Sequence, residues 1–112
     1  MTSKVVVVIS TTSKEKAMTG LSFANFAMAR NWLDDVKVIF LGRSCELLLA
    51  KDEDVQARVK EFIEKGSVFV CKAIADREGI SEDIKKKLGV PIEYVGSIIA
   101  DAIKDGYAPM VF

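Results

Sequence analysis

Cys71 is the residue of this sequence best placed for nucleophilic chemistry. It follows residues 67–70, a short apolar run whose β-branched and aromatic side chains predict a strand buried on both faces. The residues after Cys71 favour a helix. Ligands of open parallel sheets bind just outside the carboxyl ends of the strands, where a following helix directs its backbone N–H groups. A thiol in that position becomes a better nucleophile. The alternative interpretation is that Cys71 fills the core, because free cysteines are among the most buried residues.

The spacing between Cys71 and Arg77 allows a second interpretation. Five residues separate them, as in the Cys-x5-Arg loop of cysteine-dependent phosphatases. In such a loop, backbone N–H groups surround the phosphate, the thiolate attacks it and the arginine binds two of its oxygens. Here the intervening residues contain no glycine, include the acidic Asp76 and favour a helix, which would put the two side chains on different faces. The spacing therefore gives little support to a phosphatase or an arsenate reductase.

Three residues could support chemistry at Cys71. Cys45 lies in an apolar segment with three leucines, so core filling is the favoured interpretation. The alternative is a second thiol that meets Cys71 across the ends of the strands. Arg43 and Lys72 are the nearest cations in the sequence and could stabilise an anionic sulfur species, although residues of this kind are more often plain surface residues.

The turn after the first predicted strand is rich in hydroxyl groups. Thr11 and Thr12, with Ser13, could bind the phosphate of a flavin or a nucleotide, and they could equally cap the helix that follows. Neither a Gly-x-Gly-x-x-Gly motif nor a Walker-type loop follows the strand. The pattern therefore favours helix capping over nucleotide binding.

The composition excludes several classes of function. The 112 residues contain no histidine, which excludes a histidine-based triad or general base, and two cysteines are too few for a disulfide framework or a zinc site. Sixteen basic residues balance sixteen acidic ones, so we expect no general attraction to nucleic acid or to an anionic membrane. No apolar run approaches the roughly 18–20 residues of a membrane span. With no signal-peptide core at its start, the chain is expected to be a cytoplasmic protein of one domain, residues 1–112.

Strand and helix patterns alternate along the whole chain. The predicted strands are residues 4–10, 36–41, 67–70, 92–95 and 107–112, the last of them at a sheet edge because it contains a proline. The helical patterns are residues 16–33, 45–50, a stripe over 55–63, a segment from Cys71 to Gly79, one capped by Ser81 that ends at Gly89, and one from Gly96 to Asp105. This alternation predicts a three-layer α/β/α sandwich with a mainly parallel, five-stranded sheet and right-handed crossovers.

The first long helix carries apolar residues on two faces, whereas a surface helix of a monomer needs one. Since something must cover the second face, the pattern favours an oligomer. The first face comprises Ala17, Leu21, Ala24, Met28 and Trp32, and the second comprises Phe23, Phe26 and Leu33.

The chain resembles DsrE/DsrF-like proteins over essentially its whole length. The resemblance is a pattern of hydrophobic and small residues, and its one chemically specific match is Cys71. The matching features are the strand at 5–10 with its hydroxyl turn, the Ala-rich helix with Gly20 before the strand at 36–41, the strand 68–70 that ends in Cys71 before a short helix to Gly79 and Ile80, and the closing segment with Gly89, Val90, residues 92–95, Gly96, Ile103, Gly106 and Tyr107.

The resemblance implies a function in sulfur transfer. In the sulfur-relay members of the family, a cysteine in the corresponding region accepts sulfane sulfur as a persulfide and passes it on, so Cys71 is the expected nucleophile. Such chemistry needs no metal and no organic cofactor. The expected partners are a protein sulfur donor, a protein acceptor and further copies of the chain, because members commonly form trimers or hexamers, with a dimer as the alternative here. The competing hypothesis is a non-catalytic, oligomeric binding or scaffold module of the same fold.

Overall fold

Five parallel strands form the centre of the structure, a computed structural model that describes residues 3–49 and 53–112. They lie in the order β4-β3-β2-β1-β5, and each neighbouring pair is parallel. The prediction of a mainly parallel, five-stranded sheet is therefore confirmed. The strands are β1 (Lys4–Ile9), β2 (Asp35–Phe40), β3 (Ser67–Cys71), β4 (Ile92–Glu93) and β5 (Ala108–Val111).

Helices cover both faces of this sheet. From β1 to β4 the strands advance in one direction, so right-handed crossovers place the intervening helices on one face, where α1 packs against α2. The return from β4 to β5 carries α5 across the other face, where it packs against β1 and β3. The three layers are thus as predicted. The helices are α1 (Lys14–Ala29), a 3-10 helix (Gly42–Leu49), α2 (Asp54–Ile63), α3 (Lys72–Glu78), α4 (Ser81–Leu88) and α5 (Val95–Lys104).

The core lies between the sheet and the helices on its two faces, and the packing of α1 on the sheet depends on a close approach at Gly20. The β1 and β2 side chains are nearly all buried, as expected of strands covered on both faces. Gly20 lies in the middle of α1, and a Cβ atom there would come within 2.8 Å of the Ile9 Cδ1 and of the Phe112 ring. The absence of a side chain at this position lets α1 pack directly on the sheet.

The end of α1 differs from the prediction. The helix ends at Ala29 rather than at residue 33, because Asn31 adopts a left-handed backbone with φ of 55° that an α-helix cannot continue. Trp32 therefore lies beyond the helix and is 56% exposed, so its assignment to the buried stripe was wrong. Phe26, on the predicted second face, is 49% exposed.

Three further boundaries differ from the prediction. The short helix before α2 is of the 3-10 type and begins at Gly42, while Ala50 at its predicted end, and Lys51 and Asp52 after it, lie outside the described residues. β4 has two residues rather than four. Ser81 does not cap α4: Ile80 holds the cap position, and the Ser81 hydroxyl instead donates to the Asp76 carboxylate at 2.5 Å. No helix among the described residues is long and apolar enough to cross a bilayer.

Candidate functional site

The carboxyl ends of the strands gather the candidate residues at one edge of the sheet. All five strands run in the same direction, so the segments that follow β1, β2 and β3 leave the sheet side by side. The turn with Thr11 and Thr12 follows β1, Arg43 and Cys45 follow β2, and Cys71 ends β3. Strand neighbours are about 4.8 Å apart, which puts the threonine turn about two strand spacings from β3.

Cys71 lies at the junction of β3 and α3, as predicted. Its backbone is extended, with φ of −64° and ψ of 111°, and it holds the cap position of α3, although its sulfur accepts no capping hydrogen bond from the helix. In the sheet it pairs with Glu93 of β4. The residue is 7% exposed, so nearly all of its surface is covered by the fold.

Cys45 lies at the end of β2, in a 3-10 helix that packs on β3 and α3. Its sulfur is 3.7 Å from the carbonyl oxygen of Phe40, to which the thiol donates. The residue is fully buried, and this burial, more than the negative charges of Cys71 and Glu46, raises the pKa of Cys45 to about 11. Cys45 is enclosed in the core, as the favoured interpretation predicts, and its role as a second thiol for Cys71 stays a prediction. Both cysteines are free thiols.

Ser44 fixes the segment that carries Cys45. Its hydroxyl is fully buried and lies 2.6 Å from the Ile9 carbonyl oxygen and 2.8 Å from that of Leu41, so it bridges the ends of β1 and β2. The sequence analysis missed this residue. The available signal was a small hydroxyl residue just after a strand and a turn glycine, where such side chains bond to nearby backbone.

The two candidate cations are each paired with a carboxylate. Lys72 Nζ is 2.6 Å from Asp76 Oδ2, and this hydrogen bond raises the pKa of Lys72 above its usual value. Arg43 Nε is 3.4 Å from Glu46 Oε1. Both are pairs within one helix, three or four residues apart, so each cation is held beside its own carboxylate.

The hydroxyl turn acts as a helix cap. The Thr11 Oγ1 accepts a hydrogen bond from the Ser13 backbone N–H at 2.9 Å, and the Ser13 Oγ in turn accepts one from the Lys16 backbone N–H at the start of α1. Thr12 is exposed beside them. The hydroxyl oxygens of the turn thus accept hydrogen bonds from backbone N–H groups, as the capping interpretation predicts.

Residues 72–78 form the helix α3 rather than a loop. Their backbone N–H groups therefore follow a helix axis and do not surround a phosphate beside Cys71. The weakness of the Cys-x5-Arg match is explained by this helix. In residues 3–49 and 53–112, no group of three or more acidic, cysteine or histidine side chains is placed to hold a metal ion.

Comparison with known sequences places the chain among relatives over almost its full length. A sequence model of the DsrE/DsrF-like family matches residues 3–112. Among curated proteins, no relative matches the chain.

Solved structures share the fold at low sequence identity. The ychN protein from E. coli has a TM-score of 0.81 at 18% identity, over 98% of this chain and 99% of that chain. A protein of unknown function from Methanobacterium thermoautotrophicum has a TM-score of 0.76 at 20% identity, over 98% of this chain and 99% of that one. A conserved protein of unknown function from Bacteroides thetaiotaomicron has a TM-score of 0.76 at 22% identity, over 96% and 94% of the two chains.

Proposed function

Because this chain belongs to the DsrE/DsrF-like family, we propose that it is a sulfur carrier that holds sulfane sulfur as a persulfide on Cys71. The observation that carries the proposal is the position of Cys71, at the carboxyl edge of a parallel sheet, where a strand passes into a helix. This is the edge at which open α/β sheets bind their ligands. The protein works in the cytoplasm, where the reducing environment keeps both cysteines as thiols.

The transfer is an exchange of one sulfur–sulfur bond for another. The Cys71 thiolate attacks the terminal sulfur of a donor persulfide, that sulfur's bond to the donor breaks, and the donor leaves as a thiolate with the bonding electrons. Cys71 becomes a persulfide whose outer sulfur lies about 2 Å farther from the backbone than the original thiol. An acceptor thiolate then attacks this outer sulfur and takes it by the same exchange.

The test is native alkylation with mass spectrometry, before and after incubation with inorganic polysulfide. We expect Cys71 to react with the alkylating reagent and to gain one sulfur atom, whereas Cys45 does neither because it is fully buried. A Cys71→Ser variant must lose the added sulfur, and a Cys45→Ala variant must keep it. If neither thiol reacts until the protein is denatured, Cys71 is a core residue and the proposal is wrong.

A second candidate function is a non-catalytic, homo-oligomeric scaffold, and one surface favours it. Phe26 and Trp32 are both about half exposed, and the Arg30 guanidinium lies 4.8 Å from the centre of the Phe26 ring. Exposed aromatic and arginine side chains are typical of interface centres. In this alternative a trimer or hexamer forms through the surface, and a Cys71→Ser variant keeps full function. Sedimentation of Phe26→Glu decides the assembly, because a change to monomer supports the interface and an unchanged size contradicts it.

A further inference from the structure

Two cysteines lie at the carboxyl edge of the sheet, and the proposed sulfur transfer uses one of them. Phe40 at the end of β2 pairs with Val70 of β3, the residue before Cys71. The Cys45 sulfur, 3.7 Å from the Phe40 carbonyl oxygen, therefore lies where the β2–β3 ladder ends. The 3-10 helix that carries Cys45 packs on both β3 and α3, the two elements that Cys71 joins. The fold therefore brings the segments that carry the two thiols to the same end of the β2–β3 pair.

The two thiols differ in their access to solvent. Cys71 is 7% exposed, whereas Cys45 is fully enclosed. A donor that approaches from outside reaches Cys71 first. Cys45 is restricted to reacting with whatever Cys71 carries.

We propose that Cys45 is the resolving thiol of Cys71, which closes an internal Cys45–Cys71 disulfide and expels the group that Cys71 carries. When that group is sulfane sulfur, this step rests on the proposed function. The Cys45 sulfur then attacks the Cys71 Sγ, and the bond from Cys71 Sγ to its outer sulfur breaks. The outer sulfur leaves with the bonding electrons and takes the Cys45 proton, so it departs as hydrogen sulfide. The sulfane sulfur is reduced as the two thiols are oxidised, and no other oxidant is needed.

The burial of Cys45 determines when this step occurs. At neutral pH about one Cys45 side chain in 10⁴ is a thiolate, given its pKa of about 11. Among the described residues, Cys71 from β3 and Glu46 from its own helix are the titratable groups whose charge acts on it. The attack is therefore slow, and an acceptor that is present takes the sulfur first. When no acceptor arrives, the attack by Cys45 removes the sulfane sulfur from Cys71.

The first experiment follows polysulfide-loaded protein under anaerobic conditions by mass spectrometry and by sulfide release. We expect the wild-type protein to lose the added sulfur, release one sulfide per chain and end as a disulfide with the mass of two hydrogen atoms less. Cys45→Ala is expected to hold its persulfide without sulfide release. A second variant, Cys45→Ser, is expected to give the same result with a side chain closer in size to cysteine, which separates the loss of the thiol from a packing defect. Circular dichroism checks that both variants are folded.

A second experiment separates this inference from the proposed function. Dithiodipyridine forms a mixed disulfide with a thiol and releases one thiopyridone, and it requires no persulfide chemistry. In the wild-type protein we expect a second thiopyridone as Cys45 displaces the first adduct, and in both Cys45 variants we expect one. If the internal disulfide forms here while polysulfide never loads Cys71, the proposed function fails and the resolving role remains. If the wild-type protein stops at the mixed disulfide, or its Cys71 does not react, the resolving role is wrong.

Discussion

The enclosure of Cys45 predicts a measurable loss of stability at high pH. Burial raises the pKa of this thiol from its ordinary value of 9.0 to about 11 in the folded protein, while the unfolded chain keeps the ordinary value. Below pH 9 both states hold the proton, so the full stability is present. Between pH 9 and pH 11 the unfolded chain releases the proton and the folded chain retains it, so the free energy of unfolding falls as the pH rises. A shift of two units corresponds to about 3 kcal/mol, at about 1.4 kcal/mol per unit.

The Cys45→Ala variant isolates this effect. Removal of the buried sulfur carries a pH-independent cost, on the order of 1–2 kcal/mol for lost packing, so the variant is less stable than the wild-type protein at pH 7. Above pH 9 the wild-type protein alone loses the thiol contribution, and the gap between the two proteins closes or reverses by pH 11. Tyr107, whose pKa burial and its hydrogen bond to Asp35 raise to about 12, contributes to both proteins alike.

The assay is urea unfolding followed by circular dichroism, at intervals from pH 7 to pH 11 in the presence of a reductant. The difference in unfolding free energy between wild-type protein and variant is plotted against pH, with the denaturant slope checked at each point. A gap that stays constant from pH 8 to pH 11 would refute the reasoning, because Cys45 would then ionise in the folded protein as it does in the unfolded chain.

Two further predictions concern buried positions, each with a matched control variant. Gly20→Ala is expected to lower the unfolding free energy by about 1–3 kcal/mol in thermal melts, because the added Cβ would lie 2.8 Å from the Ile9 side chain. The control is Gly96→Ala in α5, where an added Cβ meets no atom within 4 Å, and it is expected to be neutral or slightly stabilising. Ser44→Ala is expected to cost about 1–3 kcal/mol because it removes the buried hydroxyl that lies between the Ile9 and Leu41 carbonyl oxygens. Ser10→Ala, at an exposed hydroxyl, is expected to cost about 0.5 kcal/mol or less. Equal melting temperatures within either pair would contradict the packing argument for that pair.

The sheet was predictable because the information for it is local. Runs of valine and isoleucine mark β1 and β2, and the structure places both within one residue of the predicted bounds. The end of α1 was not predictable in this way. The helical spacing of apolar residues continues to Trp32, but the backbone leaves the helix at Asn31, and the spacing of side chains carries no information about that turn.

In the candidate site too, one feature was predictable from the sequence and another was not. The strand-to-helix junction at Cys71 follows from a change of composition at that residue. The placement of Cys45 beside β3 depends on the register between β2 and β3 and on the packing of the 3-10 helix on β3 and α3, which no pattern in either segment specifies. The pairing of Lys72 with Asp76 was readable from their spacing of four residues on a helix.

The strand order has a consequence for how the chain reaches this fold. β5 pairs with β1, and their partners Val5 and Ala108 are far apart in the sequence, whereas β1 meets β2 through Lys4 and Asp35. Closing the longer loop costs about 1 kcal/mol more in chain entropy. Four strands can therefore assemble before the fifth arrives, and until it does β1 is an open edge with unpaired backbone groups. The β5 segment of a second molecule presents the same groups in the same order, so this edge is where two chains can exchange strands during folding.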